Sequence, residues 1–154
     1  MVDRQLMKHQ VFMSVAFSLA RLGTCSRGSV GAVIVRDGRC ISWGYNGAPP
    51  GLPHCEEVNH GHPAQVDTTL PQNGCRIATH AEANALSFAA KQGISTDGAT
   101  VYMTVAPCSW CSRLLIAAGI KRVIYYDNYR DMRGIQWLKD AGVHVVNYVE
   151  VGDG

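Results

Sequence analysis

The chain has 154 residues, enough for one domain with a full hydrophobic core. A hydrophobic fraction of 47% and a charged fraction of 17% exclude a disordered chain and fit a compact soluble one. Net charge is only +2 and no Lys/Arg run occurs, so the charge pattern points to a small substrate rather than to a long nucleic acid.

In chain order, the apolar run 11–20 is the first feature that could be mistaken for a leader or an anchor. Ser14 and Ser18 interrupt it and fall with Gln10 and Arg21 on one helical face, opposite Phe12, Val15, Ala16, Leu19 and Leu22. That pattern predicts an amphipathic docking helix, too short to cross a bilayer. The expected location is the cytoplasm, or a host cytoplasm for a viral protein. Six cysteines in such a compartment point to thiols and metal rather than disulfides. Residues 30–35 and 40–44 read as a strand pair turned at Asp37-Gly38. Cys40, inside the second strand, reads as a small buried hydrophobe. Residues 46–79 read as a long loop holding five of the six prolines, and a loop of that length is usually functional or otherwise stabilised. A helix over 81–92, a strand over 100–105 and a helix over 108–118 follow, the last closed by Gly119 in the C′ manner. A strand over 122–126, a helix over 134–140 and a strand over 143–148 finish the chain, and the residues from Gly152 on are expected to fray. Two strands followed by alternating helix and strand predict one α/β domain over 1–154. Its mixed five-stranded sheet would lie between helices on both faces, a three-layer α/β/α arrangement.

Two short motifs carry the chemistry: His80-Ala81-Glu82, and Pro107-Cys108-Ser109-Trp110-Cys111. Both fall at predicted helix starts. A catalytic zinc takes three protein ligands and keeps a fourth position for water, and His80, Cys108 and Cys111 supply three. Cys108 and Cys111, three apart, face one side of a helical turn, and a helix N-terminus favours their thiolate forms. Zinc lowers the pKa of a bound water toward about 7. Glu82, two residues past His80, can reach that water without occupying the metal and can act as general acid and base. A redox pair would not need His80 and Glu82, and a structural zinc site would close its fourth position. The combined pattern H-x-E…P-C-x-x-C is the recognised signature of zinc-dependent nucleobase deaminases.

From about Lys8 to about Val149 the chain resembles the deoxycytidylate (dCMP) deaminase family within the cytidine deaminase-like fold. The resemblance rests on Val30-Gly31-Ala32-Val33-Ile34-Val35, on Gly44-Tyr45-Asn46-Gly47-Ala48-Pro49, on the two metal motifs, and on residues 117–125. It implies conversion of dCMP and water to dUMP and ammonia, supplying thymidylate synthesis. It also implies that Asn46 holds the sugar, and that Arg27, Ala81, Tyr129 and Arg130 contact substrate, with the arginine forks suited to the 5′-phosphate. Many members are homohexamers activated by dCTP and inhibited by dTTP with Mg2+, the effector lying near the segment matched by Gly44, Tyr45 and Gly47. Several bacterial and viral members hold a second, structural zinc at positions matched by Cys25 and Cys55. Cys75 and His60 would complete a closed Cys₃His set here. Other readings on the same residues are a dCTP, cytidine-type or tRNA adenosine deaminase of the same fold, or a non-catalytic zinc protein, which Glu82 argues against.

Overall fold

The computed structural model describes residues 1–58, 66–67 and 74–152. Asp3 caps the first helix, α1 (Arg4–Ala20), by accepting from the Gln5 and Leu6 amides. The helix therefore begins well before the apolar run. Its sheet-facing side is His9, Met13, Ala16 and Ala20, with Phe12 and Leu19 at the margin, while Val15 and Leu22 are exposed. The predicted stripe is thus rotated, because small Ala16 and Ala20 let the helix backbone approach the sheet closely.

Strands β1 (Gly31–Arg36) and β2 (Arg39–Tyr45) pair antiparallel through a turn in which Asp37 (φ 52°) and Gly38 (φ 72°) are both left-handed. That is the type I′ geometry whose twist suits a hairpin. The register slips between Ile34 and Val35, so β2 carries an irregularity opposite them. Cys40 lies there on an edge strand and is exposed, not buried. The predicted loop contains a small antiparallel ladder of β3 (Val66–Asp67) and β4 (Gly74–Cys75).

After α2 (Ala81–Lys91), β5 (Thr100–Val105), α3 (Ser109–Ala117), β6 (Arg122–Asp127) and α4 (Arg133–Asp140), the strand β7 (His144–Asn147) ends earlier than expected. Asn147 accepts from the Val149 amide at 3.0 Å and starts a short helix, α5 (Tyr148–Gly152). Gly119 has φ 76° beyond α3, as its place there requires.

The sheet order is β2-β1-β5-β6-β7, with β1 antiparallel to β2 and β5, and β5, β6 and β7 parallel. On one face, Ala32, Ile34, Val101, Met103 and Val123 pack against Ala81 and Ala85 of α2, Leu115 of α3, and Ile135 and Leu138 of α4. On the other, Val33, Tyr102 and Ile124 pack against Met13 and Ala16 of α1, with Tyr148 of α5 beside them. This is the mixed, three-layer α/β/α arrangement, and it leaves the starts of α2 and α3 at one end of the molecule.

Candidate metal centre and substrate cleft

Both motif residues that open a helix occupy its N-cap. His80 (φ −67°, ψ 152°) precedes α2 and makes no side-chain capping bond. Cys108 (φ −68°, ψ 170°) precedes α3, and its sulfur accepts the Cys111 amide at 3.5 Å. An N-cap residue has extended backbone and points its side chain back over the first turn. Two such caps at neighbouring helix starts therefore aim His80 and Cys108 at each other. His80 Nδ1 stands 3.6 Å from Cys108 Sγ and 3.4 Å from Cys111 Sγ. A tetrahedral zinc with ordinary bond lengths needs N···S edges of about 3.6 Å, and both N···S edges here are close to that.

The electrostatics agree. Cys108 is held down at about 4, chiefly by a hydrogen bond from the Cys111 thiol and further by His80, against the cost of burial. His80 is raised to about 9, first by its hydrogen bond with Cys108 and then by the Glu82 charge, with burial opposing. Cys111, donating to Cys108 and buried, is pushed far up. The cluster thus stores protons that a cation would displace. Glu82 lies in the first turn of α2, is 4% exposed, and has its carboxyl pushed up mainly by burial, with the His80 charge opposing. Glu82 lines the same cleft as His80 and Cys108.

A cleft of about 380 Å³ opens beside this cluster, within the range typical of small-molecule sites. Arg27, Asn46, Ala81, Tyr129 and Arg130 line it together with His80, Glu82 and Cys108. The structure brings the residues proposed for sugar and phosphate to one cavity with the metal motifs. Arg130 lies over the Tyr129 ring at 5.4 Å and donates to its hydroxyl at 3.4 Å. Asn46 is largely committed to backbone: its Oδ1 accepts from the Val30 amide at 2.8 Å and its Nδ2 donates to the Gly28 carbonyl at 2.6 Å. One amide hydrogen and one lone pair remain for a ligand. The sequence did not reveal this clamp on the 28–30 segment, nor that Val105 and Ala106 would form cleft wall.

Cys25, Cys55 and Cys75 form a second cluster, their sulfurs within 4.8 Å of one another. Cys55 and Cys75 stand 3.9 Å apart, near the S···S edge of about 3.8 Å expected around zinc. Burial and the two neighbouring thiols push Cys55 up to about 12. His60 lies outside the described residues. Cys25 and Cys75 also line the cleft, so the two clusters share a wall. Gly44 is buried where a Cβ would strike the Ala81 carbonyl and approach the Ala85 amide at 2.6 Å, and at Gly47 it would meet Thr24 Oγ1 at 2.6 Å. Close packing requires both glycines. Tyr45 stacks on Trp43 at 6.3 Å.

Comparison with known proteins places the architecture. The family described as the cytidine and deoxycytidylate deaminase zinc-binding region matches residues 6–127. The chain belongs to the cytidine and deoxycytidylate deaminase family. Among relatives of this family member, ComE operon protein 2 of Bacillus subtilis is 39% identical over 94% of this chain and 72% of its own. Deoxycytidylate deaminase of Enterobacteria phage T4 is 32% identical over 92% of this chain and 90% of its own. The dCMP deaminase of cyanophage S-TIM5, solved in complex with dCMP and dUMP, superposes with a TM-score of 0.76 at 31% identity, covering 94% of this chain and 98% of that one. The zinc-binding character of the family agrees with the donor set, and no helix among the described residues is long and apolar enough to cross a membrane.

Proposed function

We propose that the chain hydrolyses dCMP to dUMP and ammonia in the cytoplasm, with zinc held by His80, Cys108 and Cys111. The observation that carries this reading is the placement of Glu82. It is a buried carboxyl on the wall of the cleft that His80 and Cys108 also line and that presents two arginines. Relatives named for deoxycytidylate deamination support the substrate.

A zinc ion so held would supply an acidified water at neutral pH. Glu82 takes a proton from the water whose oxygen joins C4 of the cytosine, and passes it to N3. It then carries the second water proton to the exocyclic amine, the C4–N bond breaks, and a C4 carbonyl and ammonia result. Burial holds the Glu82 carboxyl up toward the operating pH, which suits a group that must both accept and donate. Asn46 offers its spare hydrogen and lone pair to the sugar, and Ala81 contributes backbone at the start of α2. Arg27, Arg130 and Tyr129 take the 5′-phosphate, for which guanidinium forks are matched acceptor to donor.

Cys25, Cys55 and Cys75 hold a second, structural zinc with His60 as the fourth ligand, a reading supported by the spacing of the three sulfurs. A homohexamer activated by dCTP and inhibited by dTTP with Mg2+ completes the proposal, on the family resemblance at Gly44, Tyr45 and Gly47. The test is ammonia release by zinc-loaded protein offered dCMP, dCTP, deoxycytidine and cytidine, each with and without dCTP and Mg2+. Turnover of dCMP alone is the expected result, and a sigmoidal curve made hyperbolic by dCTP is the sign of regulation. Absence of dCMP turnover by zinc-loaded protein overturns the reading.

A further inference from the structure

Gly134 stands in the first turn of α4, buried, with no left-handed φ to call for glycine. Glycine is a poor helix former, so the position has another requirement. That requirement is space. A Cβ built there would lie 2.5 Å from Ser112 Oγ, 2.8 Å from the Pro107 carbonyl oxygen and 2.9 Å from the Cys108 carbonyl carbon. Two of these three atoms are backbone of the turn that presents Cys108, so no rotamer change relieves the contact. The third belongs to a fully buried hydroxyl that has no hydrogen-bond partner among the described residues. Such an orphan is uncommon. On the other side of Gly134, the chain runs back at once through the loop that carries Tyr129 and Arg130 into the cleft.

We infer that Gly134 is a positioning residue that sets the separation between the Cys108 turn and the Tyr129–Arg130 loop, and so holds the metal end and the phosphate end of the cleft in register. The inference rests on the function proposed above. A single methyl group at this position forces either α4 with its loop, or the Pro107–Cys108 turn, to retreat by several tenths of an ångström. Groups that orient ligands typically cost 10- to 100-fold in metal affinity when disturbed, and small misplacements at a reacting centre cost similar factors in rate.

The experiment compares wild type, Gly134→Ala, Ser112→Ala and the double variant. Zinc affinity is measured by chelator competition, the ligand field by the absorption bands of the cobalt-substituted protein, and KM and kcat with dCMP. Gly134→Ala is expected to weaken zinc binding at least about tenfold, shift the cobalt bands, and raise KM for dCMP. Ser112→Ala alone is expected to leave all three near wild type, and the double variant to resemble Gly134→Ala, because the backbone contacts persist. Ser112→Thr, which adds a methyl group to the same gap from α3, gives the second route if Gly134→Ala yields no folded protein, and it should show the same pattern. Wild-type zinc affinity, cobalt spectrum and KM in a folded Gly134→Ala or Ser112→Thr protein, or full rescue of Gly134→Ala by Ser112→Ala, overturns the inference. A wild type that holds zinc but does not turn over dCMP overturns the proposed function instead.

Discussion

Asn46→Ala separates two jobs that the sequence alone merges. The side chain is 7% exposed and bridges the Val30 amide at 2.8 Å and the Gly28 carbonyl at 2.6 Å. Val30 is half-buried, so its orphaned N–H costs about 1.5 kcal/mol, whereas the Gly28 carbonyl lies at an exposed residue and rehydrates for about 0.5 kcal/mol. The sum, about 2 kcal/mol, corresponds to a fall in Tm of roughly 4–8 °C for a chain of this size. The same loss frees the segment that carries Arg27, so KM for dCMP should rise as well. The assay pairs calorimetry of the zinc-loaded protein with initial-rate kinetics. Asn46→Asp keeps the acceptor for Val30 but turns an oxygen toward the Gly28 carbonyl, and it should fall between wild type and alanine in Tm. A Tm loss under about 1 °C with a large rise in KM would show that Asn46 serves the ligand alone and would refute the loop-clamp argument. A full Tm loss with KM unchanged would refute the link between that clamp and substrate binding.

Glu82→Gln keeps the volume and removes the proton carrier, so kcat with dCMP should fall by about 10²- to 10⁴-fold while the protein still binds zinc, as metal analysis will show. Cys75→Ser should lower the zinc content of purified protein from two ions per chain to one, and an unchanged count would exclude the second site. His9, buried against Tyr102 at 2.8 Å, has its pKa lowered chiefly by burial and further by nearby Arg122, with Asp3 opposing. Its neutral form is therefore the one the fold favours. That contribution is present above the ordinary value of 6.5 and is lost as pH falls through the lowered one. Tm should decline below about pH 6.5, and His9→Gln should flatten that decline in a pH series of thermal melts.

Much of the frame was legible because its signals are local. The 100–105 strand, the Asp37-Gly38 turn and the Gly119 stop each depend on residues inside the segment itself. The clustering of His80 with Cys108 and Cys111 was equally legible, since capping geometry needs only a helix start at His80 and Cys108. What escaped depended on distant partners. The buried face of α1 is decided by which small residues the sheet can approach, and Cys40 is exposed because its strand is the sheet's edge. The short β3–β4 ladder lies in a segment with no alternating pattern to announce it. Asn147 is the last residue of β7 and its side chain accepts the Val149 amide, a local contact hidden by the valines before it, which read as a strand continuing to Tyr148. The Asn46 clamp on the backbone of Gly28 and Val30 and the close approach of Gly134 to the Pro107–Cys108 turn join separate segments of the fold, and no spacing along the chain encodes them.

The placement of His80 has a consequence for local order. A helix start normally has a serine, threonine or aspartate to satisfy its open amides, and losing such a group costs about 1 kcal/mol. His80 holds that position and makes no side-chain bond to the first turn. In the proposed assignment its ring is committed to the metal, so the opening turn of α2, Glu82 included, has no cap of its own. Burial of Ala81 and Glu82, rather than a side-chain cap, is then what holds the opening turn of α2 in place, so the order of the stretch that carries the proton carrier depends on its packing against the sheet.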